Sequence, residues 1–283
     1  MINFNGTLLS QTDSKFTTEN RGYKYGDALF ETLKVVNGKL FFWEDHYFRL
    51  MASMRILRME IPMNFTMEFL EAEILKTVDA NNLLNAAARV RLNVDRGEGG
   101  KYLPPDEAKV NFNISVEPHL NPFYTIDEKA TYTVDLYKDY FMAPGLLSGL
   151  KSNNKALQVI GSIYAKENDF DNCLVLNTNK NVIEALNGNL FLVKGDKIKT
   201  PPLEDGCLKG VMRKQILELL ATDVNLFVEE ASISPFELQK ADELFVTNVI
   251  QGIVPITKYR KKTFSTEFAK GIVGKLNAKL RLT

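Results

Sequence analysis

Two residues of ordinary type stand out by their context. Lys151 lies in Leu150-Lys151-Ser152-Asn153-Asn154, and 33 residues further on Glu184 opens Glu184-Ala185-Leu186-Asn187-Gly188-Asn189-Leu190-Phe191. A lysine amine condenses with an aldehyde to an imine, and that bond becomes chemically useful when a carboxylate protonates the electron-withdrawing ring of the aldehyde partner. The pair supplies one group of each kind. The chain holds 35 lysines and arginines, and an unselected lysine is a solvated surface residue, so the assignment depends on the motifs around the pair.

The elements that must position these groups follow from turn chemistry and periodicity. Asn5-Gly6 and Asn37-Gly38 are favoured two-residue hairpin turns between strand-forming segments. From Trp43 to Arg58 the apolar residues Tyr47, Leu50, Met51, Met54 and Leu57 recur at three- and four-residue spacing, which predicts a helix with one buried face. A second helix is expected over Met67 to Ala80. Residues 87–95 and 109–116 read as strands flanking Arg96-Gly97-Glu98-Gly99-Gly100-Lys101-Tyr102-Leu103-Pro104-Pro105, whose glycines and prolines forbid regular structure. The second half carries strand patterns at 131–136, 172–177, 189–194, 225–229 and 243–248, and helical patterns near 154–167, 210–221 and 264–280. Prolines and polar residues interrupt the pattern near 119–129. The expected organisation is therefore a smaller domain over 1–118, a linker over 119–129 and a larger domain over 130–283, in an α/β (α+β) protein with an interdomain active-site cleft.

Composition narrows the partners. The 35 acidic and 35 basic residues cancel, so no overall field recruits nucleic acid or an anionic membrane, and small molecules become the expected partners. Cys173 and Cys207 lack Cys-x-x-Cys spacing, which argues against both a disulfide scaffold and a metal site. The N-terminus lacks the basic start and apolar core of a signal peptide, and no apolar run reaches 18 residues, so a cytoplasmic protein is expected.

Several motifs, in order along about residues 3–258, resemble those of the fold-type IV pyridoxal-phosphate enzymes, which include branched-chain aminotransferases, D-amino-acid aminotransferases and aminodeoxychorismate lyases. Arg21-Gly22-Tyr23-Lys24-Tyr25-Gly26-Asp27-Ala28-Leu29-Phe30-Glu31-Thr32 resembles the family's strand-turn-strand segment beside the active site, with Ala28 in place of a usual glycine. The resemblance implies Tyr25, Phe30 and Glu31 near substrate. His46-Tyr47-Phe48-Arg49-Leu50 matches the family's His-x-x-Arg-Leu and implies Arg49 at the cofactor phosphate, a role suited to the donor fork of a guanidinium. Lys151 matches the lysine that bonds pyridoxal 5'-phosphate, and Glu184, with Asn189 behind it, matches the carboxylate that protonates the pyridine nitrogen.

The same resemblance implies cofactor contacts from Gly210, Val211 and Met212 at a helix entry, and from Asn248 and Val249 at a turn. Backbone N–H groups at a helix start bind anions whatever the side chain. Arg91, Arg96 and Lys101 are candidates for a substrate carboxylate. Lys151-x-x-Asn154, Val211-Met212, Asn248 and Arg96-Gly97-Glu98-Gly99-Gly100 are similar to the lyase pattern, whereas Phe30-Glu31-Thr32 is shared with aminotransferases. The first expectation is a lyase converting 4-amino-4-deoxychorismate to 4-aminobenzoate and pyruvate. The alternatives are a class IV aminotransferase for branched-chain or other amino acids with 2-oxoglutarate, and, third, a pyridoxal-phosphate-binding protein without turnover. The resemblance also implies a homodimer.

Overall fold

The computed structural model describes residues 1–13 and 16–282; residues 14, 15 and 283, which fall within the expected domain ranges, lie outside the described residues. Two compact units emerge, one of Met1–Pro122 together with Lys151–Asn154, the other of Phe123–Leu150 together with residues from Lys155 onward.

The first unit is a six-stranded antiparallel sheet with two long helices. Its elements are β1 (Ile2–Phe4), β2 (Thr7–Leu9), α1 (Arg21–Tyr25), β3 (Ala28–Val36), β4 (Lys39–Leu40), α2 (Trp43–Ile56), α3 (Met67–Ala80), β5 (Ala87–Asp95) and β6 (Asn111–Pro118). The strand order is β2-β1-β6-β5-β3-β4. Both Asn-Gly turns close the expected hairpins, because Phe4 pairs with Thr7 and Val36 with Lys39. Strand alternation then sorts the sheet's faces. Leu29, Leu33 and Val35 of β3 and Val90, Leu92 and Val94 of β5 are buried with Leu50, Met54, Leu70 and Ile74 of the helices. Phe30, Thr32, Arg91 and Asn93 take the opposite face by the same period.

One local expectation changes. Arg21–Thr32 is a helix-turn-strand rather than a strand-turn-strand, because the Asn20 side chain accepts from Tyr23 N–H and caps a five-residue helix that Gly26 ends in the left-handed conformation. Too short to show a helical period, α1 left no pattern to read.

The second unit is built on a ten-stranded mixed sheet. Its elements are β7 (Thr133–Met142), α4 (Ala156–Glu167), β8 (Asn172–Asn177), β9 (Val182–Ala185), β10 (Gly188–Lys194), β11 (Lys197–Thr200), α5 (Val211–Leu220), β12 (Phe227–Glu230), α6 (Pro235–Leu238), β13 (Glu243–Asn248), β14 (Gly252–Ile256), β15 (Lys258–Tyr259), β16 (Lys262–Thr263) and α7 (Glu267–Leu282). Strands run β12-β11-β10-β9-β8-β7-β15-β16, and β13 pairs with both β10 and β14. Leu174, Leu190, Leu244, Val246 and Ile256 form the centre of one core, while Phe191 stacks on Phe245 at 5.0 Å across the paired strands. α4 packs on β7 and β8, and α5 packs on β13 and α7.

Candidate active site

The lysine segment is an extra edge piece of the first sheet. Phe30 N–H donates to the Lys151 carbonyl at 2.9 Å, Asn153 N–H donates to the Ala28 carbonyl at 3.0 Å, and Ser152 bridges Leu29. These bonds fix the lysine's backbone. Gly26 makes room beside them: its φ is 64°, and a Cβ there would stand 2.2 Å from Asn154 Oδ1. The spacing from Lys151 to Asn154 is thus the reach needed to seat the asparagine against a residue without a side chain.

Above this backbone the side chains converge on one ring. Lys151 Nζ lies 4.4 Å from the Phe30 centroid, and Arg91 Cζ lies 3.8 Å from it. Arg91 donates to Asn93 Oδ1 at 3.1 Å and to Asn153 Oδ1 at 3.3 Å, so it is tied to the lysine segment as well. Burial, aided by the nearby Arg89 charge, draws the Arg91 pKa below its ordinary value.

Glu31 occupies a different environment from the substrate-side one expected. Adjacent strand residues point to opposite faces, so Phe30 and Glu31 cannot share one side of the sheet, and Glu31 takes the helix side. There its carboxylate accepts from His46 Nδ1 at 2.6 Å and from Arg49 Nε at 2.8 Å, and it also pairs with Arg49 Nη2. Burial opposes the Glu31 charge, yet the Arg49 guanidinium and His46 outweigh it and hold the carboxyl at about 2. Burial lowers the His46 pKa against the pull of Glu31. The arginine expected at the phosphate is therefore oriented by a buried carboxylate one strand away.

The loop candidates separate. Arg96 donates to Asp27 Oδ2 at 2.9 Å and to the carbonyls of Leu57 and Arg58, which engages its fork within the protein. Lys101 is exposed, and its carbonyl accepts from Arg21 at 2.6 Å. Arg21 also reaches the Gly99 and Tyr102 carbonyls, tying the glycine-rich loop to α1. Tyr25 is half-buried beside Tyr102, with ring centroids 5.6 Å apart.

The second unit holds the carboxylate and the helix start. Glu184, 8 % exposed, accepts from Leu208 N–H at 2.9 Å. Asn189 pairs with Glu184 in register, and its Nδ2 donates to the Leu208 carbonyl at 2.8 Å. Together they clamp the chain entering α5. Gly210 must be glycine for this, since a Cβ would stand 1.9 Å from Asn189 Oδ1. It also stands at the N-cap of α5 without a side-chain cap, so the backbone N–H groups of Val211 and Met212 in the first turn are available to an anion.

Thr247 lies in the family-like segment 242–250 without being singled out there, yet strand register sets it directly opposite Asn189, in a row Glu184–Asn189–Thr247 across β9, β10 and β13. Its buried hydroxyl has no hydrogen-bond partner among the described residues. The alternation Glu243, Phe245, Thr247 was the signal available in the sequence. Asn248 organises the turn that follows: its Oδ1 accepts from Ile250 N–H at 3.1 Å and Gln251 N–H at 2.8 Å. Val249 is buried, and its carbonyl accepts from Tyr124 at 2.7 Å.

Taken unit by unit, the first offers an edge-held lysine of the kind an aldehyde needs, and the second offers a buried carboxylate of the kind a ring nitrogen needs and an uncapped helix start of the kind a phosphate needs. Groups of these kinds are the ones a pyridoxal-phosphate enzyme uses. The sequence model of the family "Amino-transferase class IV" matches residues 28–259, and the chain belongs to that family, whose enzymes depend on pyridoxal phosphate. A candidate branched-chain-amino-acid aminotransferase of Methanocaldococcus jannaschii is 29% identical over 280 residues, covering 99% of this chain and 95% of that protein. The aminodeoxychorismate lyase of Vibrio harveyi is 27% identical over 266 residues, covering 93% of each. The crystal structure of 4-amino-4-deoxychorismate lyase from Pseudomonas aeruginosa superimposes with a TM-score of 0.82 at 28% identity, over 99% of this chain and 98% of that one.

Proposed function

We propose that this enzyme is a pyridoxal-phosphate-dependent lyase that converts 4-amino-4-deoxychorismate to 4-aminobenzoate and pyruvate. The observation that carries this reading is the start of α5. Met212, buried at 1 % exposure, stands where the resemblance puts a threonine in most aminotransferases, so this turn offers an anion its backbone N–H groups without a hydroxyl. Glu31, the chief sequence feature against the lyase, is engaged by His46 and Arg49 on the helix side of the sheet.

When bound, pyridoxal phosphate supplies an aldehyde for the Lys151 amine and a ring that accepts the electrons released at the substrate carbon. As the resemblance implies, the Val211 and Met212 N–H groups and Arg49 would hold its phosphate. Glu184, oriented by Leu208 N–H, keeps a proton at the ring nitrogen. Lys151 Nζ takes the proton from the amine-bearing carbon of the substrate and delivers it to the departing enolpyruvate oxygen. Arg91 draws a substrate carboxylate beside the lysine. The working form is a homodimer, as the resemblance implies.

A second reading is favoured by Phe30-Glu31-Thr32 and by the Methanocaldococcus relative: an aminotransferase using the same Lys151, Arg49 and Glu184. The deciding experiment supplies the purified holoenzyme with aminodeoxychorismate and, separately, with L- and D-amino acids plus 2-oxoglutarate. Pyruvate release without amino transfer is expected. Amino transfer without pyruvate release would sink the lyase reading.

A further inference from the structure

We propose that Phe30 is a positioning residue for Lys151, its ring face holding the protonated Nζ in place between the two proton transfers. This rests on the reading of Lys151 as the proton carrier. The ring is 8 % exposed, and Nζ stands 4.4 Å from its centroid, well inside the range where a cation is attracted by the ring's negative face. The same residue's N–H donates to the Lys151 carbonyl, so one strand position fixes the lysine at its backbone and again at its tip.

The attraction discriminates between states. A ring quadrupole pulls on an ammonium and hardly at all on a neutral amine, so Phe30 leaves the proton-abstracting form free to move and steadies the form that carries the proton. Arg91, 3.8 Å from the same centroid, competes for the ring in the resting protein. A substrate carboxylate paired with Arg91 cancels that second charge and leaves Nζ as the net cation on the ring. Asn153, which accepts from Arg91 and lies two residues from Lys151, keeps the two cations in one frame. Substrate binding and proton retention are thereby coupled through one aromatic side chain.

The test is a series of fluorinated phenylalanines at position 30 in the holoenzyme, which drains the ring's negative face at nearly constant shape and so leaves folding intact. From 4-fluoro to 3,4,5-trifluoro, kcat should fall in steps to about a tenth while KM stays within about twofold, and Phe30→Tyr should stay within about threefold of the parent. In cofactor-free protein, 15N-lysine NMR should show the Lys151 titration midpoint falling in the same steps. A flat kcat series overturns the proposal, whatever the titration does, and so does an unmoved titration. A Lys151→Ala control that keeps turnover would instead overturn the reading of the lysine itself.

Discussion

Glu31 and His46 share a hydrogen bond of 2.6 Å in a fully buried setting, and the same carboxylate binds Arg49 through its other oxygen at 2.8 Å. One strand residue thus holds two helix residues three positions apart, on consecutive turns of α2. Removing the carboxylate while leaving the guanidinium would strand a charge that the fold has already desolvated. Glu31→Ala is expected to cost about 3–5 kcal/mol of unfolding free energy, measured by urea denaturation. A loss below about 1 kcal/mol would mean that Arg49 has another adequate partner.

The same cluster sets a pH dependence of stability. Glu31 is held at about 2 against an ordinary value of 4.5, and His46 is depressed from 6.5, so both bind protons more readily in the unfolded chain. Each contributes stability that is complete above its unfolded value and lost as pH falls through the folded one. Stability should therefore decline from about pH 6.5 as the unfolded histidine gains protons, and again below about 4.5, fading toward 2. Thermal melts of the parent and of His46→Gln across this range give the check: the variant should lose the upper part of the decline and keep the lower.

Buried thiols give a simpler expectation. Burial pushes Cys207 up to about 12 and Cys173 up to about 11, and at Cys207 the Glu184 charge adds to the rise. Neither is a competent thiolate near neutral pH. Folded protein should react with a disulfide reagent at well below one thiol per chain over an hour, and denatured protein at two, one for each of the two cysteines. Rapid labelling of the folded form would show that the structure opens at the labelled cysteine, β8 for Cys173 or the α5 entry for Cys207.

The entry to α5 offers a steric test. At Gly210 a methyl group would stand 1.9 Å from Asn189 Oδ1, so Gly210→Ala must turn the amide away and break its bond to the Leu208 carbonyl. Since Leu208 N–H also orients Glu184, the disturbance reaches the carboxylate. Pyridoxal-phosphate affinity, read by equilibrium dialysis, should fall at least about tenfold, the equivalent of about 1.4 kcal/mol. Adding Asn189→Ala removes the clash, and the double variant should lose less than the sum of the two singles.

What the chain announced and what it hid divide along physical lines. α2, α3, β8 and β13 carry enough residues to display a period, and their limits agree with expectation within two residues. By contrast β9 is four residues buried throughout, and β15 and β16 have two residues each, too few for any alternation. The motif marked Glu184, but not the pairing in β9 that sets it in register with Asn189. Local alternation gives the face on which Thr247 lies, but its place opposite Asn189 is a matter of cross-strand register, which no local spacing encodes. The edge pairing of Lys151 with Phe30 is long-range for the same reason: the motif named the lysine, and the hydrogen bond that positions it joins distant segments.

Arg91 and Arg96 began as equal candidates for a substrate carboxylate, and their surroundings now separate them. Arg96 has its fork engaged by Asp27 and two carbonyls, contacts that brace the loop against the turn between α1 and β3 and against the end of α2. Arg91 binds two side-chain amides and lies on the Phe30 ring beside Lys151, which leaves room for one further acceptor in its fork. Arg96→Gln should therefore act on the fold, lowering unfolding free energy by about 1–3 kcal/mol with KM within about twofold. Arg91→Gln should act on the substrate, raising KM at least about tenfold with little change in unfolding. Steady-state kinetics and denaturation on the two variants provide both readings at once. If Arg96→Gln raised KM as strongly as Arg91→Gln, the loop rather than the sheet would carry the carboxylate, and Arg96 would have to exchange its internal partners for the substrate during turnover.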